Sequence, residues 1–292
     1  MSVDLLQDKI RKTKNPSMLE LCLKPTELPP QILSGCDHPA DAYEQFCKQL
    51  LTALKGIVPS VRVSFASFAL LGCQGMSALQ NTLKFAHDLG YYVCMDAPEL
   101  LSPQSASMTA EAIFGADSSL YCDGLIVSCY AGSDVIKPFL PYCKEGKKDI
   151  FVIARTANKS APELQDLLAG TRLVHAAAAD HVNRYGADTA GKRGYTRVGI
   201  LAASSSAESL KNLRARYPKL FMILDGYDYP NSNAKNCSYA FDKFGHGAVA
   251  VAGRSITCAW SQDESEDTDF TASAVAAAER MKKNLTRYIT VL

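Results

Sequence analysis

The chain has 292 residues, of which 47% are hydrophobic and 21% are charged, as is typical of a packed globular protein. Its 31 basic and 30 acidic residues leave a formal net charge of +1, so no charge excess favours nucleic acid or an anionic membrane as a partner. No stretch approaches ~18 apolar residues, and the N-terminus lacks the apolar core of a signal peptide. Ten cysteines without C-x-x-C spacing predict buried thiols rather than a zinc site, so we expect a soluble protein in the reducing cytoplasm.

Short apolar runs of strand length alternate along the chain with amphipathic segments of helix length. Strands are predicted at Met18–Leu23, Val61–Phe65, Tyr91–Met95, Gly124–Cys129, Asp149–Ala154, Arg197–Ala202, Phe221–Leu224 and Ala248–Ala252. Helices are predicted at Asp4–Lys14, Ala40–Ile57, Met76–Leu89, Ser105–Phe114, Asp134–Cys143, Leu173–Tyr185, Ala207–Tyr217, near Tyr239–Phe244, and at Ala272–Tyr288.

This alternation favours the α/β class. Eight β-then-α units without a glycine-rich nucleotide-binding turn indicate a closed (β/α)8 TIM barrel rather than an open doubly wound sheet. We expect a single domain over residues 1–292, with a helical N-terminal segment at 4–14 and the barrel at about 18–290. In such a barrel the chemistry lies where the strands end, at the carboxyl face.

Taken in chain order, the strand ends resemble those of orotidine 5'-phosphate decarboxylase, in the longer bacterial branch of that family. The resemblance runs from about residue 4 to 260. The stretch S-C-Y-A-G-S-D-V-I-K-P-F at 128–139 is similar to the family's N-P-Y-x-G-x-D-x-x-x-P-F. R-T-A-N at 155–158, followed by E-L-Q-D at 163–166, is similar to K-T-S-N and E-x-Q-D. The resemblance implies a barrel of pyrimidine (UMP) biosynthesis, a carboxy-lyase without metal or cofactor, and a homodimer with sites at the subunit interface.

The residues that carry the family's chemistry depart from its pattern. The family has a Lys at the end of the second strand and D-x-K-x-x-D at the end of the third. Here the resemblance places Arg62 and Asp96 as catalytic remnants, because Pro98 stands where the proton-donating Lys belongs and Leu101 where the second Asp belongs. A proline offers no proton, and an arginine does not readily give one up. The ribose-binding Asp corresponds to Cys22.

The binding positions are partly kept. The resemblance implies a substrate-binding set of Thr156, Asn158, Gly226, Tyr227 and Arg254. Asp228 replaces a glycine of the phosphate loop, where an added carboxylate repels a phosphate. Ala157 replaces the Ser that contacts the pyrimidine.

Structural roles are open for the same side chains. Asp96 is either a catalytic remnant or a strand-end carboxylate satisfied by Arg62. Arg254 either holds a phosphate or caps the rim, and the 156–158 segment either contacts a base or shapes a turn.

Three functional interpretations follow. The first is a catalytically inactive or strongly impaired relative, which is either a remnant that binds a nucleotide or phosphate weakly or a protein-interaction subunit. The second is an enzyme of altered specificity on the same barrel, with an acidic metal site. Its residues would be Arg62, Asp96, Glu99, Asp225 and Asp228. The third is a decarboxylase (OMP to UMP and CO2) with a non-standard site. A homodimer is simpler than a mixed dimer with an active paralogue, because Leu101 would deprive the partner's site of its Asp.

Overall fold

The computed structural model describes residues 2–98, 100–262 and 269–292. The strands in these ranges are β1 (Ser17–Leu21), β2 (Ser60–Val63), β3 (Tyr92–Asp96), β4 (Gly124–Val127), β5 (Asp149–Ile153), β6 (Leu168–Ala169), β7 (Arg172–Leu173), β8 (Thr196–Ala203), β9 (Leu220–Asp225) and β10 (Ala248–Ala252). Eight of these described strands pair in parallel and close into a barrel in the order β1-β10-β9-β8-β5-β4-β3-β2, while β6 and β7 form a small antiparallel hairpin outside it. The expected (β/α)8 TIM barrel is confirmed.

Helices connect the strands and cover the outside of the barrel. The described α-helices are α1 (Ser2–Thr13), α2 (Pro30–Ser34), α3 (Pro39–Ala53), α4 (Phe65–Ala69), α5 (Gly72–Asp88), α6 (Pro103–Phe114), α7 (Leu140–Lys144), α8 (Pro162–Gln165), α9 (Val174–Gly186), α10 (Ala207–Arg216), α11 (Ala234–Ser238), α12 (Arg254–Thr257) and α13 (Phe270–Thr286). None of the helices in the described ranges has the length and apolar character needed to cross a membrane.

The apolar strands separate two packed regions because side chains alternate between the faces of a strand. The barrel interior is filled by large buried side chains such as Tyr92, Phe151 and Phe221, and α1 adds Val3 and Leu6 to the same cluster, closing the amino-terminal end. The larger cluster lies between the strands and the surrounding helices. The carboxyl ends of the strands are left as the open end of the barrel.

The segment 134–143 is not the single helix that we predicted. It forms two 3-10 turns, Ser133–Val135 and Lys137–Phe139, before α7. Pro138 and Pro141 explain the interruption, because proline lacks the backbone N–H that a continuous helix needs.

One helix and one strand have boundaries that differ from the predicted ones, each for a local reason. The helix expected near Tyr239–Phe244 lies earlier, as α11, because the Asn233 side chain caps it by accepting a hydrogen bond from the Asn236 N–H at 2.9 Å. Strand β2 ends at Val63, because Phe65 already begins α4.

Candidate active site at the carboxyl ends of the strands

One arginine and three carboxylates meet inside the mouth of the barrel. In the strand register Glu20 of β1 lies opposite Arg62 of β2. The Arg62 Nε donates to Asp96 Oδ1 at 2.7 Å, and its Nη1 donates to Asp225 Oδ1 at 2.8 Å. The same Nη1 lies 3.3 Å from Glu20 Oε1. We call these four side chains the mouth network.

The mouth network carries more negative than positive charge. Burial raises the pKa of Glu20 to about 7, the Arg62 guanidinium opposes that rise, and the neighbouring aspartates add to it. Burial alone would lower the pKa of Arg62, but Asp96 and the other carboxylates together hold it well above its ordinary value. The guanidinium is only 12% exposed, so it is a permanent internal counterion rather than a free cation.

A fourth carboxylate, Asp228, is held by backbone N–H groups. Its Oδ2 accepts from the Gly253 N–H at 2.9 Å and from the Ser255 N–H at 3.1 Å, and its Oδ1 accepts from the Ser255 hydroxyl. These donors follow β10, the last strand of the barrel, at the start of α12. The loops after the last two strands of a TIM barrel frequently form a phosphate site. The Asp228 carboxylate therefore occupies backbone N–H donors of the kind that bind phosphate in such loops.

A cavity of about 460 Å³ opens between these groups. It is bordered by Glu20, Arg62 and Asp225 on one side and by Asp228 and Arg254 on the other. Among the described residues that line it there is no lysine.

Arg254 does not point its charge at that cavity alone. Its Nη1 donates to Glu27 Oε1, and Glu27 also accepts from the Lys24 N–H at 2.8 Å. The backbone hydrogen bond from Lys24 and the Arg254 guanidinium hold the pKa of Glu27 below its ordinary value. Arg254 is therefore paired at the rim, with 61% of its side chain exposed.

The Thr156 and Asn158 side chains bond mainly to their own loop. Thr156 receives a hydrogen bond from Gln165 Nε2 at 2.9 Å, and its N–H donates to Gln165 Oε1 at 2.8 Å. Thr156 Oγ1 also donates to Asn158 Oδ1 at 2.5 Å, and Asn158 Nδ2 donates to Ser160 at 3.1 Å. These contacts shape a turn.

Two loops meet across the mouth at Gly226. Its φ of +80° is a conformation that favours glycine, and a Cβ added there would lie 2.2 Å from Ala157 Cβ. Gly226, a predicted substrate-binding position, therefore lies directly beside the 156–158 loop. The Tyr227 N–H donates to the Val251 carbonyl at 3.3 Å.

The remaining predicted positions lie at the edge of this mouth. Cys22 is exposed and lines the cavity. Pro98 is partly buried after β3, and Leu101 is 75% exposed. Glu99, proposed as a metal ligand in the altered-specificity interpretation, lies outside the described residues.

An acidic metal site is not what the described mouth forms. Across residues 2–98, 100–262 and 269–292 no group of three or more His, Cys, Asp or Glu side chains is arranged to hold a metal ion. Instead, Arg62 lies between Asp96 and Asp225 and bonds to both.

Sequence reasoning missed Glu20 and Glu27. Glu20 has a usable signal, because it is a carboxylate inside the short apolar strand S-M-L-E-L at 17–21. Glu27 has none, because its partner Arg254 is 227 residues away in the chain.

The fold and the mouth together define a TIM-barrel protein with a charged pocket at the carboxyl ends of its strands. The sequence model of the "Orotidine 5'-phosphate decarboxylase / HUMPS family" matches residues 105–266. The chain belongs to this family.

Curated relatives agree with that assignment, and solved structures share the fold. The orotidine 5'-phosphate decarboxylase of Rhodopirellula baltica is 29% identical over 85% of each chain, and that of Clostridium novyi is 25% identical over 98% of each. A putative orotidine-monophosphate-decarboxylase structure from Toxoplasma gondii has a TM-score of 0.79 at 20% identity, over 98% of this chain and 97% of that one. The UMP synthase structure from Leishmania donovani has a TM-score of 0.76 at 22% identity, over 98% of this chain and 56% of that longer one.

Proposed function

We propose that this protein is a non-decarboxylating member of the orotidine 5'-phosphate decarboxylase family, whose barrel mouth is occupied by its own charged side chains. The observation that carries the proposal is the mouth network: the Arg62 guanidinium is hydrogen-bonded to Asp96 and Asp225 and is already surrounded by carboxylate. A substrate bearing a carboxylate of its own would have to compete with these internal anions for one cation.

Proton delivery is the first step that the mouth does not support. Decarboxylation of a pyrimidine leaves a carbanion that must be stabilised and then protonated by a nearby acid. The resemblance puts Pro98 in the place of that acid. Arg62 is a poor substitute, because its carboxylate partners raise its pKa and so oppose release of the proton.

Phosphate binding is the second step that the mouth does not support. Asp228 accepts the hydrogen bonds of Gly253 and Ser255 that a phosphate oxygen would need, and Arg254 is paired with Glu27. A phosphate entering here would meet a negative charge in its place and a neutralised cation at the rim. We therefore propose that any remaining affinity for a nucleotide or phosphate is weak.

The direct test is turnover of orotidine 5'-phosphate by the purified protein, with UMP measured by chromatography. We expect no UMP above that formed in a protein-free sample. Turnover at a rate of roughly 1 s⁻¹, an ordinary enzymatic value, would overturn the proposal.

An Arg62→Ala preparation, purified in the same way, is the control for a contaminating decarboxylase from the expression host. Activity that is equal in both preparations belongs to the contaminant. Activity that disappears with Arg62 belongs to this chain and contradicts the proposal.

We further propose a homodimer in a reducing, cytoplasmic setting. Leu101, at the position where the family reaches across to a partner, is 75% exposed, and Leu70 is 63% exposed, as expected of side chains that a second copy covers. All ten cysteines are free thiols, which supports a reducing compartment. Sedimentation equilibrium of the wild type and of Leu101→Arg, a longer charged side chain that the family pattern does not carry there, tests the dimer: we expect the variant to dissociate, and a monomeric wild type would refute it.

A further inference from the structure

A second cavity, separate from the barrel mouth, lies between the outer face of β5 and helix α9. Its volume is about 640 Å³, within the range of small-molecule sites. Val152 and Ala154 form its inner wall, and Ala177 and Ala178 of α9 form its outer wall. Alanines at these two helix positions leave open the space that larger side chains would fill.

This cavity lies mainly outside the barrel, although Ile153, which packs against the interior cluster, also borders it. Along β5 Phe151 belongs to the interior cluster, whereas Val152 belongs to the cluster between strands and helices. Because neighbouring side chains of a strand point to opposite faces, Val152 and the cavity beside it lie away from the barrel axis. None of the four side chains of the mouth network lines it.

The lining is apolar and carries no formal charge. Among the described residues around the cavity there is no Asp, Glu, Lys or Arg, in contrast with the mouth. The residues around it that carry a hydroxyl include Ser128, Ser133 and Tyr185. The rings of His181 and Tyr185 are nearly parallel, 22° apart with centroids separated by 6.2 Å, and both border the cavity.

The wall also contacts the loop that follows β5. Gln165 lines the cavity, and both ends of its amide are hydrogen-bonded to Thr156. Both polar atoms of the amide therefore already have a partner, and the amide adds little demand for a charged or strongly polar ligand. The surroundings of the opening are apolar as well, since Leu164 is 45% exposed and Tyr130 is 83% exposed.

We propose that this cavity is a binding site for an uncharged, mainly apolar small molecule with a ring system and one hydrogen-bond acceptor. Because no Asp, Glu, Lys or Arg lines the cavity, a phosphate inside it would lack a cationic partner there, and this disfavours the anionic nucleotides of the family. The hydroxyls donate to the acceptor, while the β5 and α9 side chains cover the rings.

The probe is prodan, an uncharged naphthalene with a single carbonyl acceptor, titrated into the full-length protein. We expect saturable one-to-one binding with a blue shift of its emission and a rise in Tm. Ala178→Phe fills the cavity and should weaken binding roughly tenfold or more. Asn183→Phe adds the same ring at an exposed position of α9 that does not line the cavity, and it should bind like the wild type.

Circular dichroism of both variants checks that they fold. If Ala178→Phe does not fold, Ala177→Leu is the smaller filling change, and intermolecular NOEs between prodan and the methyl groups of Val152 and Val182 locate the dye in the wild type. NOEs to these methyls support the site, and their absence at saturation overturns it. The site is also overturned if Ala178→Phe binds prodan like the wild type. The proposal is also overturned if the wild type binds no prodan but self-associates through this surface, and Ala178→Phe abolishes that self-association. In that case the cavity is occupied by a second copy of the chain and not by a small molecule.

Discussion

Replacing Glu20 by glutamine should remove a large part of the pH dependence of unfolding between pH 5 and pH 8. Burial raises the pKa of Glu20 from 4.5 to about 7, and the aspartates of the mouth network add to this against the opposing effect of Arg62. Glutamine keeps the shape and polarity of a protonated glutamate and does not titrate.

The sign of this pH dependence follows from the protonation of Glu20 in the folded and in the unfolded state. Between pH 4.5 and about 7 the folded protein retains the Glu20 proton that the unfolded chain has lost, so rising pH favours unfolding. The stabilisation is complete below the unfolded value and is lost as the pH rises through the folded one. Each pH unit corresponds to about 1.4 kcal/mol, so the interval amounts to about 3 kcal/mol.

Urea unfolding at pH 5, 6, 7 and 8 measures this directly. The free energy of unfolding of Glu20→Gln, relative to the wild type, should rise by about 2–3 kcal/mol from pH 5 to pH 8. The comparison with the wild type is necessary because burial also raises the pKa of Asp149, at the other end of the barrel, to about 7. Taking the difference cancels the contribution of Asp149.

Glu27→Gln is the matched control at the same mouth. The pKa of Glu27 is lowered, so it is ionised in both states throughout this range, and its replacement should shift stability by the same amount at every pH. If the profile of Glu20→Gln instead runs parallel to that of the wild type within about 0.5 kcal/mol, burial does not raise the pKa of Glu20 in the folded protein and the reasoning fails.

Three other changes test the same mouth. Arg62→Ala leaves its carboxylate partners without their cation and should lower the free energy of unfolding at pH 8 by about 3 kcal/mol in urea melts. Arg62→Lys should recover part of this loss. An unchanged free energy of unfolding in Arg62→Ala would show that the guanidinium does not stabilise the carboxylates. Asp228→Gly frees the backbone N–H groups of Gly253 and Ser255 and should bind inorganic phosphate about tenfold more tightly than the wild type, as measured by calorimetry. Equal affinity would mean that the Asp228 carboxylate does not block these donors. Gly226→Ala should cost about 2–3 kcal/mol in urea melts, from backbone strain plus its contact with Ala157, and more than Gly132→Ala, where φ is +90° but no atom lies within 4 Å; equal losses would exclude the contact.

Residue type alone already limited what this mouth can do. The sequence places a proline and a leucine at 98 and 101 and an aspartate at 228, and no packing arrangement turns Pro98 into a proton donor. Sequence reasoning offered an Arg62–Asp96 pair as one of two alternatives, but it could not decide between them or add Asp225 to the pair. A guanidinium is a substrate cation or an internal counterion depending on which carboxylates surround it.

The barrel itself was readable from the sequence because its signals are local. Buried parallel strands such as Phe151–Ile153 are continuous apolar runs, and amphipathic segments between them mark the helices, so the closed (β/α)8 fold and the family resemblance were both confirmed. Only the tertiary structure decided the contacts of the mouth. Arg62 on β2 and Asp225 on β9 are 163 residues apart in the chain, and closure of the barrel brings them within hydrogen-bonding distance. Local patterns report which face a residue occupies, but they carry no information about which distant strand end lies across the barrel from it.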